Sequence, residues 1–141
     1  MSDDTTVRIR GAQSGRLLFP ALIGHEGPVL SISFSKTGDR IVSSSPDGTL
    51  RIWYTSAGAE ALHPLRHPLG DHADNNSICH ACFSPNGVLI ASVSDNGTAV
   101  VRNSHSGAQP HHLQADNGAV ISHTFLGPML FAGGDDGTVH G

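Results

Sequence analysis

The side chains best suited to chemistry in this 141-residue chain are its ten histidines and two cysteines. Cys79-His-Ala-Cys82 has the spacing of a redox or metal-binding pair. His63, His67 and His72 lie close together and His111 and His112 are adjacent, so the loop 66–76 is a candidate His-dependent metal-binding or hydrolytic site. The surrounding pattern weakens both readings. A structural zinc site wants a second ligand pair, which the sequence lacks, and no His-Glu-x-x-His motif of zinc hydrolases is present. The cysteines belong to an alternating segment, Ile78-Cys-His-Ala-Cys-Phe83, in which residues three apart point to opposite faces of a strand. Ser, His and Asp are abundant, yet no spacing arranges them as a triad, and no phosphate-binding loop, dinucleotide fingerprint or nucleophile elbow is present. The expectation is a protein that is not an enzyme and uses neither metal nor cofactor.

The elements that would position these residues come from a repeat. Asp47-Gly-Thr-Leu-Arg-Ile-Trp53 recurs as Asp4-Thr-Thr-Val-Arg-Ile-Arg10, Asn96-Gly-Thr-Ala-Val-Val-Arg102 and Asp136-Gly-Thr-Val139, with starts 43, 49 and 40 residues apart. That period belongs to arrays of one small β unit. Between Gly24 and Gly58 the alternation of apolar with small polar residues predicts strands over Val29 to Phe34, Arg40 to Ser44 and Thr49 to Tyr54. Turn residues separate them, and a fourth strand follows over Ala61 to Leu65. The order repeats as Ile78 to Phe83, Val88 to Val93, Thr98 to Asn103 and Gln109 to Leu113, then as Val120 to Phe125 and Met129 to Gly133. Upstream, Thr6 to Arg10 and Leu17 to Leu22 supply the last two strands of another copy. No window keeps a helical apolar spacing, and 17 glycines with 8 prolines break most candidate helices. The chain reads as all-β.

Gly24-His25 through Phe34-Ser35, Asp47-Gly-Thr49 and Ile52-Trp53 together resemble the WD-repeat β-propeller family, and the resemblance covers nearly the whole chain. It implies four-stranded antiparallel blades: an incomplete one over 1–23, complete ones over 24–69 and 70–114, and a truncated one over 115–141. It also implies a buried hydrogen-bonded set, which falls on His25, Ser43, Asp47 and Trp53. The next copy places His72 and Ser92 in that set but has Asn96 for the Asp and Arg102 for the Trp; the last has Asp116 and Ala132 at the His and Ser places. Tyr54 and Asn103 replace the Asp that follows the family's Trp. About three repeats are too few to close a propeller of the usual size. An open arc exposes strand edges and apolar faces, which favours self-association; a fragment of a longer array and a truncated, nonfunctional gene product are the other expectations.

Composition narrows the partners. Eight Lys plus Arg against twelve Asp plus Glu give a net charge of −4, which offers nothing to nucleic acid or an anionic membrane. The first residues lack a basic region followed by an apolar run, and no segment is long enough to span a bilayer, so the chain reads as soluble, intracellular and cytoplasmic. In a blade array the fourth-to-first and second-to-third connections share one rim, here called the top. Glu26, Asp47, Asp71, Asp74, Asp95, Asp116, Asp135 and Asp136 fall there, with Arg66 the sole Lys or Arg. The bottom turns carry Arg16, Lys36 and Arg40 against Asp39. From Gly58 to Ile78 is 20 residues, against 14 from Gly15 to Val29, so the 66–76 connection holds about six extra residues; insertions in such arrays often fall on the binding face. The expected function is therefore an interaction module or scaffold. It would bind a protein or peptide, with basic character favoured, through Glu26, Arg66, Asp71, Asp74, Asp95, Asp116 and Asp135, with Asp47 kept for structure.

Overall fold

The computed structural model describes residues 5–67, 77–109, 111–114, 120–126, 129–134 and 139–140. Thirteen strands and no helix form among them. β1 (Thr6–Val7) and β2 (Leu22–Ile23) make a two-stranded sheet. β3 (Ser31–Phe34), β4 (Arg40–Ser44), β5 (Thr49–Tyr54) and β6 (Leu65–Arg66) make a four-stranded one in sequence order. β7 (Ile78–Phe83), β8 (Leu89–Ser94), β9 (Thr98–Asn103) and β10 (His111–Gln114) repeat it. β11 (Val120–Leu126), β12 (Met129–Gly134) and β13 (Val139–His140) form a three-stranded sheet. Every pairing is antiparallel. The chain is thus all-β, with four-stranded sheets in tandem and no closed barrel among the described residues.

The inner strands follow the sequence pattern closely, and the outer ones are shorter than the sequence suggests. A strand over Ala61 to Leu65 is replaced by the single bridge Trp53↔Glu60 and the two residues of β6. Likewise Leu17 to Leu22 reduces to the bridge Arg10↔Leu17 and β2. Pro20 and Pro64 stand in the gaps. A proline donates no ladder hydrogen bond and is tolerated on an outer strand, where it interrupts the pairing.

The β3–β6 sheet is apolar on both faces, because alternate residues of each strand turn to opposite sides. Val42, Leu50 and Ile52 face the next sheet and pack with Ile78, Ala81, Phe83 and Ile90. Ile41 and Trp53 face the other way and pack with Val7, Ile9, Leu22 and Val29. Each such aliphatic side chain, once removed from water, contributes about 1.5–3 kcal/mol. Ile32 and Phe34, cross-strand from Ser43 and Ile41 on this second face, stay 48% and 54% exposed. Between the innermost strands β3 and β7 the residues are small, and the Ser31 hydroxyl reaches both the Ala81 N–H (3.4 Å) and its carbonyl (3.5 Å).

Polar clasps join the two four-stranded sheets at their rims. At one rim the Ile78 N–H donates to the Ser45 carbonyl at 3.1 Å. At the other, the Arg40 guanidinium, only 8% exposed, donates to the Ser104 carbonyl (2.9 Å), the Ser104 hydroxyl (3.3 Å) and the Gly87 carbonyl (3.3 Å), and lies 5.4 Å from the centre of the Phe83 ring. A cation counted at the bottom surface from sequence is therefore spent inside. Replacing it as Arg40→Met keeps most of the bulk but removes the side-chain donor to the buried Ser104 carbonyl, while Gly87 keeps the Ser104 hydroxyl, so unfolding in urea should show a loss of about 1–3 kcal/mol.

Candidate functional site

The hydrogen bonds at the strand ends define two rims. The Glu26 N–H donates to the Asp47 carboxylate at 2.8 Å, and the Asp95 N–H donates to the Ser77 carbonyl at 3.1 Å. Each contact joins a sheet-to-sheet connection to the turn between the second and third strands of a sheet. On the opposite rim, the Thr55 N–H donates to the Asp39 carbonyl (2.9 Å) and the Ser104 N–H to the Val88 carbonyl (2.8 Å).

Beneath the top rim of the β3–β6 sheet lies a buried polar chain. The Trp53 indole N–H donates to Ser43 Oγ at 2.9 Å, and Ser43 Oγ lies 2.8 Å from His25 Nε2. His25 Nδ1 lies 3.0 Å from Asp47 Oδ2 and 3.1 Å from Thr49 Oγ1. Because the indole can only donate, Ser43 is free to give its own proton to Nε2, and Nδ1–H then points to the carboxylate. All donors are aligned in one direction, from Trp53 to Asp47. The turn that presents Asp47 is built locally. Its Oδ1 accepts from the Thr49 N–H (2.8 Å) and hydroxyl (2.5 Å), and Gly48 takes φ +77°, which a residue with a side chain rarely adopts.

Burial sets the protonation of this chain. Desolvation lowers the His25 pKa below its ordinary 6.5 despite the pull of Asp47 in the other direction. Burial alone would raise the Asp47 carboxyl, but donors from Thr49, Glu26 N–H and His25 outweigh it and hold Asp47 below its ordinary 3.8. The Ser43–His25–Asp47 distances are those of a hydrolase triad, on residues that the family resemblance groups as a buried hydrogen-bonded set. Ser43 is 0% exposed and its oxygen already receives the indole N–H. No substrate carbonyl can reach it, so the arrangement serves as a structural relay.

The neighbouring sheet holds a partial version, with one correction to the sequence reading. The histidine that meets Ser92 is His67, not His72: Nε2 lies 2.7 Å from Ser92 Oγ and His67 is 3% exposed. His72 lies outside the described residues. The sequence misled because the extra residues follow the buried histidine instead of preceding it. His25 stands six residues before Ser31, whereas His67 stands thirteen before His80, and Ser31 and His80 pair with the residues directly after Ser43 and Ser92. Asn96 still accepts from the Thr98 N–H at 3.0 Å but brings no charge. Arg102, in the Trp place, donates to the Arg66 and Gly107 carbonyls and leaves Ser92 without an indole. The residue before each histidine matches this exchange. A Cβ on Gly24 would meet the Trp53 ring at 3.0 Å, while Arg66 occupies the same place where the ring is missing.

The remaining candidates fall as follows. Glu26 is exposed and Asp95 half-buried on the top rim; Arg66 is exposed there and donates to the Asp47 carbonyl at 3.2 Å. Asp71, Asp74, Asp116 and Asp135, with Asp136, lie outside the described residues. Ala132 pairs with His123 in β12. Burial raises the thiols of Cys79 and Cys82, the latter to about 11, so neither is a ready thiolate for a metal or for redox exchange. Among the described residues no three His, Cys, Asp or Glu converge as a metal site.

Tandem four-stranded antiparallel sheets, each with a buried histidine that crosses from the preceding sheet to a serine on the second strand, define a blade array of the β-propeller kind. The chain belongs to the WD-repeat family: the profile described as "WD domain, G-beta repeat" matches residues 17–54 and 64–103. It is 37% identical over 84 residues to the Periodic tryptophan protein 2 homolog of Schizosaccharomyces pombe, covering 56% of this chain and 10% of that protein. It is 45% identical over 49 residues to Transcription initiation factor TFIID subunit 5 of Arabidopsis thaliana, covering 35% of this chain and 7% of that protein. To Apoptotic protease-activating factor 1 of Rattus norvegicus it is 33% identical over 110 residues, covering 78% of this chain and 8% of that protein. The chain therefore spans about a tenth or less of the length of these relatives.

Two outcomes test the relay. Ser43→Ala removes the partner shared by the Trp53 indole and His25 Nε2, whereas Ser92→Ala removes a contact to His67 Nε2 and none to an indole; at about 1–3 kcal/mol per lost buried partner, urea unfolding should show the larger loss for Ser43→Ala. The second concerns pH. Below 6.5 the unfolded chain takes up a proton that buried His25 resists, and below 3.8 the same holds for Asp47, so both groups lose stability as pH falls. Unfolding followed by Trp53 fluorescence should weaken from about pH 6.5 downward. In His25→Gln the upper step should shrink, with a remainder from His80, which burial also lowers.

Proposed function

We propose that this chain is a noncatalytic protein-interaction module, a portion of a scaffold, and that it binds a basic protein or peptide through its top rim. The observation that carries the proposal is the position of His67. Its imidazole is fixed against Ser92, and ten residues separate it from β7, against five between His25 and β3. The extra length therefore follows a pinned point in the sequence, and its acids, Asp71 and Asp74, are taken to act with Glu26 and Asp95 in binding. A pinned histidine followed by a longer, acidic stretch of sequence suits recognition of cationic segments, whose encounter the acids would steer. Membership of a family of interaction modules supports the general role. The enclosed Ser43 supports the absence of catalysis.

The His-dependent metal reading of the same loop is weaker, because His67 turns inward and is unavailable as a ligand there. The half-exposed Ile32 and Phe34 make self-association through that sheet face part of the same proposal. The relatives' names speak of transcription initiation and of protease activation, which favours an intracellular setting for the chain.

The test is equilibrium binding of a lysine-rich peptide at several salt concentrations, with wild type and an Asp71→Asn/Asp74→Asn double variant. Binding that weakens about two- to fivefold in the variant at low salt, and that falls as salt screens it, is the expected result. Equal affinity for both proteins at every salt concentration contradicts the proposal.

A further inference from the structure

The opposite rim carries a groove that neither the relay nor the acidic connections use. A cavity of about 270 Å³ opens between the β3–β6 and β7–β10 sheets, with Asp39, Arg40, Tyr54, Leu62, Ser104 and His105 in its walls. It continues along Ala61 and Leu62 into a shallower recess beside Glu60 and His63. Ala61 and Leu62 are half-buried and rest on the core beneath, so they form an apolar bed. Tyr54 stands beside it with 46% of its surface exposed.

The charges in this groove are sorted by burial. Arg40 is turned inward, with two nitrogens committed to Ser104 and Gly87 and its plane near Phe83. Glu60 is spent on Arg51, at 2.9 and 3.1 Å. Asp39 alone presents an outward carboxylate. The hydroxyls of Thr37 and Ser35 hold it ionised and fix its orientation, and the bond from the Thr55 N–H to its carbonyl sets it next to Tyr54. An anion beside an exposed aromatic face, over an apolar bed, complements a side chain that is apolar along its stem and cationic at its tip.

We propose that this inter-sheet groove is a second docking site, for a partner segment in which an arginine stands next to a leucine-sized residue. The apolar residue lies on Ala61 and Leu62. The guanidinium sits between the Asp39 carboxylate and the Tyr54 ring. The site is on the rim opposite Glu26 and Asp95, so it stands or falls separately from the top-rim proposal.

The experiment adds N-acetylated, C-amidated Leu-Arg, Leu-Gln and Leu-Glu peptides to the isotopically labelled 141-residue chain and follows its backbone amide signals. The expected result is saturable shifts centred on Tyr54, Leu62, Ser104 and His105, with affinity falling from Leu-Arg to Leu-Gln to Leu-Glu. Asp39→Asn, which keeps the acceptor for Ser35 and Thr37, should weaken Leu-Arg binding about two- to fivefold and leave Leu-Gln unchanged. Tyr54→Ala alters an exposed ring and should weaken Leu-Arg by a similar factor, and Asp71→Asn/Asp74→Asn should have no effect. Shifts that are absent, that centre on the top rim, or that rank Leu-Glu equal to Leu-Arg overturn the proposal.

Discussion

The Ser43 hydroxyl is the contact on which the rest of the architecture depends. It is fully buried, it accepts the Trp53 N–H, and it lies within 2.8 Å of His25. Each of these polar groups would be costly to bury alone. Together they satisfy one another and fasten three pieces of chain: the second strand, the third strand, and the segment arriving from the preceding sheet. Asp47 completes the chain and ties it to the top turn. Without the serine, the indole N–H and His25 Nε2 both lose the partner that holds them inside.

This contact also explains how a repeat becomes an array. The matched units at 17–54 and 64–103 each begin before the outer strand of one sheet and end on the third strand of the next. No unit forms a sheet by itself. Each crossing runs through a histidine, His25 or His67, held by a serine of the sheet ahead. The crossing is thereby fixed at its base, ahead of the added length in the sequence. That is how an insertion is tolerated after His67 without disturbing β7 to β9.

Much of this was legible in the sequence, because its signals are local. The Asp47 to Trp53 block, its copies and the alternation of the inner strands reflect burial on two faces, and β4, β5, β7 and β9 lie where that alternation places them. The outer strands were less legible. They are stitched loosely, and the prolines at 20 and 64 break pairing that apolar content alone suggests. The partner of Ser92 was misassigned because two histidines lie five residues apart in the same connection, and only the distance to the serine separates them. The inward turn of Arg40, which removes a bottom cation, depends on Ser104 and Gly87, residues 64 and 47 positions away. Such long-range partners leave no periodic trace.

The central claim is that the complete relay makes the β3–β6 sheet the anchor of the array, while the neighbouring sheet, with Asn96 and Arg102 in place of Asp and Trp, is fastened less firmly. Native-state amide hydrogen exchange measures this directly, because it reports the opening of each sheet separately. The amides of Ile41, Ser43, Ile52 and Trp53 should exchange more slowly than those of Ile90, Ser92, Val101 and Arg102. Equal protection of the two sheets, or slower exchange in the second group, would contradict it.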